Sequence, residues 1–177
     1  MGVVAIVVIM SAMAVPSMMS FTDQYRLGMS TRDVERELQF ARLKAVSADH
    51  AMRLRLNCPA TGSIRALEVI GTAAAPDAKD SAIDRCDETK YPYRPTGADS
   101  SRLTRPNNDG PVRYLQRDVT VAGSTLEFWP DGTVHMDTGA GSPWPSVGTP
   151  GATITLTRKS VTKKIVVNGL GKIQMDR

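Results

Sequence analysis

No charged side chain appears in this 177-residue chain before Asp23, and no Lys or Arg before Arg26. That absence argues against a secretory signal as the sequence stands, because such a signal needs a basic segment ahead of its apolar stretch. "SAMA" has the small residues of a cleavage site, but Pro16 follows closely behind it. Cysteine is scarce as well. Cys58 and Cys86 are the only two, and neither has a histidine at zinc-site spacing. In an oxidising compartment they form one disulfide around a loop of about 28 residues, worth roughly 3 kcal/mol. In a reducing one they are two unrelated thiols. There are two histidines, His50 and His135, and no metalloprotease, phosphate-loop or nucleophile-elbow motif. Those gaps leave little room for an enzyme or for a cofactor.

The first 22 residues are apolar where the rest is not. As a helix, residues 1–15 reach only about 22 Å, against a bilayer core of about 30 Å. Extension through Ser17, Ser20 and Thr22 reaches the required length, with Pro16 as a kink. No glycine-rich linker follows. The sequence continues instead at helical spacing, with Leu27, Val34, Leu38, Ala41, Ala45, Ala48 and Met52 forming one apolar stripe. Arg32, Asp33, Arg36, Glu37 and Arg42 occupy the other faces. The expectation is one helix of about 50 residues, roughly 75 Å long. Residues 1–22 form its membrane half, and residues 23–51 form an amphipathic continuation packed on a globular head, residues 52–177.

Within the head, "MRLRLN" alternates apolar and basic residues as a half-buried strand does, "NCPATGS" is a turn, and "IRALEVI" is a second strand. Residues 71–111 read mostly as loop. "VRYLQRDVTV" and "STLEFW" read as strands joined by the turn "VAGS", and "PDGT" is a further turn. "ATITLTR" and "KKIVVNG" form a hairpin around "RKSVT", and "KIQMDR" adds a short last strand. One long helix followed by antiparallel strands defines an α+β class.

Charge is unevenly distributed. The whole chain carries +4, and residues 152–177 alone carry +5. Lys159, Lys163 and Lys164 flank the hairpin turn, and Lys172 follows a glycine. Cations gathered on one face are able to bind a phosphate backbone. His135 lies between Asp131 and Asp137, and it reads as a strand or turn histidine with acidic neighbours rather than as a metal ligand. Asp77, Asp80, Asp84 and Asp87 match no calcium-loop spacing and read as a solvated loop.

The order of these pieces resembles the GspH/FimT family of type IV pilin-like minor pseudopilins. "AVPSM" resembles the family's N-terminal helix around its proline, and "LQFARLKAV" its Leu-x-x-Ala-Arg-x-x-Ala segment. "LRLNCP" resembles its first strand, "LEFWPDGTV" its Phe-x-Pro-x-Gly strand and turn, and "ITLTRKSVTKKIVVNGLGKIQM" its closing hairpin. The resemblance implies a non-enzymatic subunit with a single-pass anchor in the bacterial inner membrane and a periplasmic head. It also implies assembly with other pilin-like subunits on an inner-membrane platform, with no cofactor or small-molecule substrate. By the same resemblance, the expected role is to start or cap a type II secretion pseudopilus or a type IV pilus by helix packing. Some relatives carry a Gly-Arg-x-Arg tail implicated in DNA uptake. Here the matching residues are Gly171-Lys172-Ile173-Gln174, so DNA binding through Lys159, Lys163, Lys164 and Lys172 stands as the alternative. The family's basic leader and nearby glutamate have no counterpart after Met1. The expectation is a natural start upstream of Met1; a chain that never enters the filament pathway is the other possibility.

Overall fold

A computed structural model describes residues 2–72, 74–93 and 108–176, with side chains described from residue 20 onward. Helix α1, Gly2–Ala48, is followed by nine short strands. The strands are β1 Met52–Leu56, β2 Ser63–Glu68, β3 Arg113–Tyr114, β4 Thr120–Ala122 and β5 Leu126–Phe128, then β6 Val134–Met136, β7 Ala152–Arg158, β8 Val161–Val167 and β9 Ile173–Met175. They form two antiparallel sheets, ordered β3-β2-β1-β5-β6 and β4-β7-β8-β9.

The helix lies across both sheets, and one apolar core fills the space between. Leu27, Val34, Leu38, Ala41 and Ala45 are fully buried on the helix. They meet Met52, Leu54, Ile64, Ala66, Leu126, Phe128 and Val134 of the first sheet and Ile154, Leu156, Ile165 and Val167 of the second. Ala48 is half-buried at the end of the stripe. Met52, the last residue of the predicted stripe, opens β1, as the strand reading of "MRLRLN" has it. Asp49 ends α1 with φ 53°, a left-handed conformation that a short polar side chain tolerates, so the helix stops short of residue 51. Pro16 falls within α1, and the kink expected there lies outside the residues whose side chains are described. The predicted membrane half lies mostly outside them too. Among the described residues, no helix is long and apolar enough to cross a membrane.

Two strand expectations needed correction. "VRYLQRDVTV" is two strands, because the chain crosses between sheets at Leu115–Val119 with Asp118 at φ 62°. Likewise "VAGS" does not close a hairpin: β4 pairs with β7, and β5 pairs with β1 and β6. The β7–β8 hairpin is tighter than expected, with only Lys159 and Ser160 between the Arg158–Val161 pair.

Candidate interaction surfaces

An ionic contact anchors the helix on the head at Asp23. Asp23 Oδ1 accepts from Arg158 Nε at 2.8 Å, and its other oxygen lies 2.7 Å from Lys159 Nζ. Arg158 is buried and also donates to the Arg117 carbonyl. Lys159 and Arg158 hold the Asp23 carboxyl below the usual carboxylate range. Ser20, Phe21 and Thr22, just before this anchor, are exposed.

Beyond Asp23 the docked face carries polar side chains, and Ser30 and Glu37 have partners on the head. The Ser30 hydroxyl accepts from Gln116 N–H at 3.0 Å, and Glu37 accepts from Arg113 Nε at 2.8 Å. Thr31 is buried too, and its hydroxyl returns to the Leu27 carbonyl at 2.7 Å. The opposite face is open. Phe21 and Tyr25 are each 69% exposed and stand one helical turn apart. Leu43 and Val46 are also exposed.

A helix docked by one face across two antiparallel sheets, with its start apolar, invites comparison with filament subunits. No family model matches the chain, and no curated protein matches it. Among solved structures, the type IV minor pilin FimU of Pseudomonas aeruginosa PAO1 aligns over 89% of this chain and 92% of its own, with 15% identity and a TM-score of 0.50. A second crystal form of FimU aligns over 85% and 92%, with 13% identity and a TM-score of 0.47. The fold is that of a type IV minor pilin.

Within this minor-pilin fold the four lysines do not share a face. Lys159 is tied to Asp23. Lys163 follows the inward parity of Ile165 and Val167, and its Nζ passes over Gly28 of the helix. Lys164 lies opposite Thr155 on the other face of the sheet. Lys172 sits beyond the far end of β8, after Gly171. At Gly171 the backbone is left-handed (φ 73°), and any side chain there would be strained. Lys159 and Lys163 both reach the helix, and strand alternation turns Lys164 away from them, so the four do not form one face.

The alternation of β1 and β2 leaves open what their basic face meets. A strap covers it: Arg53 and Arg65 are buried and Arg55 is half-buried. On the face of the first sheet away from the helix, Arg53 donates to the Asp80 carbonyl at 2.8 Å and Arg55 to the Ala82 carbonyl at 2.6 Å. Arg65 donates to the carbonyls of Arg85 and Tyr91. The strap, residues 74–91, holds two 3-10 turns, Ala78–Ser81 and Ile83–Cys86. The Cys58–Cys86 disulfide pins it, with a Cα separation of 5.1 Å, and packs over Leu67. Asp80 is not a solvated loop residue: it is buried and accepts from the N–H groups of Ile70 and Gly71 at 2.8 Å each. Arg85, fully buried, pairs with Asp109 at 2.9 Å. No signal in the sequence marks this layer, because strand alternation is the same whether the outer face meets water or a strap.

His50 is exposed just past the helix. His135 stacks on Trp129, and its ring nitrogens meet the Thr133 hydroxyl and the Trp144 carbonyl. Asp131 caps Thr133 and Asp137 accepts from Gly139, so their hydrogen bonds go to local loop groups rather than to His135.

Proposed function

We propose that this chain is a minor pilin-like structural subunit that starts or caps a type II secretion pseudopilus or a type IV pilus. Residues 1–22 serve first as a single-pass inner-membrane anchor and then as filament core. Residues 23–51 carry the helix onto the head, and residues 52–177 form a periplasmic head that selects partners. Its partners are other pilin-like subunits and the inner-membrane assembly platform, and its mechanism is apolar helix packing rather than catalysis. The carrying observation is that, among the described side chains, one face of α1 docks on the head through Asp23 and the buried stripe after it, while Phe21 and Tyr25 stay exposed on the opposite face. Two exposed aromatics on one helix face suit burial against neighbouring helices.

Site-specific crosslinking tests this. With Phe21→Cys or Tyr25→Cys, bifunctional thiol crosslinking in cells assembling a filament is expected to join the chain to pilin-like subunits, and the chain is expected in the sheared filament fraction. A folded chain that stays wholly in the membrane fraction and crosslinks to none of them overturns the proposal.

A further inference from the structure

A cleft of about 780 Å³ opens on the face of the first sheet away from the helix, between the start of the strap and the loop following β6. Its polar groups fall into two sets. One set is satisfied internally. Arg53 pairs with Glu127 at 2.8 Å, and its guanidinium lies 3.9 Å from the Trp144 ring centre. Glu127 also accepts from the Trp129 indole N–H at 2.8 Å. These contacts hold both indoles rigidly in the cleft wall, beside Pro130 and Pro143.

The other set is unpaired. Asp49, Asp77 and Asp137 line the same cleft, and among the described residues no ion pair holds any of them. Asp77 and Asp137 each use one oxygen to accept a local N–H, from Lys79 and Gly139. The internal pairs cancel, so these carboxylates leave the cleft acidic over an aromatic and proline-lined wall.

We infer that this cleft is a docking site for a basic, extended segment of another polypeptide. Lysine or arginine ammonium and guanidinium groups pair with the Asp49, Asp77 and Asp137 carboxylates, and their aliphatic stems lie along the wall at Trp129, Pro130 and Pro143. The volume accommodates several residues rather than a single ion. The site is independent of helix-mediated assembly, because it lies on the opposite side of the sheet.

The chain carries its own reporter, since both of its tryptophans line the cleft. Titration of the full chain in non-ionic detergent with tetralysine is expected to change tryptophan emission saturably. Asp49→Asn, Asp77→Asn and Asp137→Asn combined keep the local acceptors but remove the charge. They are expected to weaken tetralysine by about tenfold, while Lys164→Gln leaves binding unchanged. Spermine, of similar charge but lacking a peptide backbone, is expected to bind more weakly. Absence of a saturable change, equal binding by the triple variant, or equal binding by spermine overturns the inference. A salt titration of the unaltered chain provides a second reading: affinity is expected to fall several-fold between about 50 and 200 mM salt, and salt-independent binding also overturns it.

Discussion

Two carboxylates respond to acid in opposite directions. Asp109 is buried against Arg85, and burial outweighs the guanidinium, pushing its pKa up to about 6. In the unfolded chain it ionises near 3.9. Between those values the folded state binds a proton that the unfolded state does not, so acidification stabilises the fold. Relative to Asp109→Asn, the native chain is expected to gain about 1 kcal/mol on going from about pH 7 to pH 5 in urea titrations. Asp23 behaves the other way. Lys159 and Arg158 lower its pKa, so its contribution is complete above about pH 4 and is lost as pH falls through the depressed value. Asp23→Asn is expected to lower the denaturant midpoint at neutral pH and to match the native chain in strong acid. A constant difference across pH would exclude the ionic anchor. Asp23 was legible only as the first charge after an apolar run; its partners lie 135 and 136 positions away, beyond any local pattern.

For the elements, the helix stripe tests the docking directly. Ala41 and Ala45 are fully buried against the sheets. Ala41→Asp or Ala45→Asp places an unpaired charge in that contact, with an expected cost of at least about 3 kcal/mol in urea unfolding. An unchanged midpoint would refute this packing. The strap depends on its disulfide. Reduction, or Cys86→Ser, is expected to cost roughly 3 kcal/mol. It should also speed amide exchange selectively in residues 74–91 and in β2, which they cover. Uniform acceleration through all nine strands would mean that the strap is not a separate unit. The helix stripe was readable because its spacing is local. The role of Arg53, Arg55 and Arg65 was not, because a sequence does not state what covers the outer face of a strand.

At the level of the whole molecule, three surfaces point in different directions. The helix leaves Phe21 and Tyr25 outward, the closing hairpin spreads its lysines over two faces, and the acidic cleft opens on the far side of the first sheet. In the proposed role, cohesion would run through the helix and recognition through the head. Tyr25→Asp is accordingly expected to remove the chain from sheared filaments while leaving its circular dichroism melt unchanged. Loss of the melt along with filament incorporation would show instead that the residue serves the fold.

The sequence by itself determined the long helix, its buried stripe, strands β1, β2, β5, β7, β8 and β9, and the α+β class. Each of these rests on a period of 3.6 or 2 that neighbouring residues impose on one another. The tertiary structure decided the rest: division of the strands into two sheets, pairing of Cys58 with Cys86, dispersal of Lys159, Lys163, Lys164 and Lys172, and the cleft between two loops. These depend on contacts between residues far apart in the chain. Which side chains meet there follows from how the core closes, and local periodicity carries no record of it.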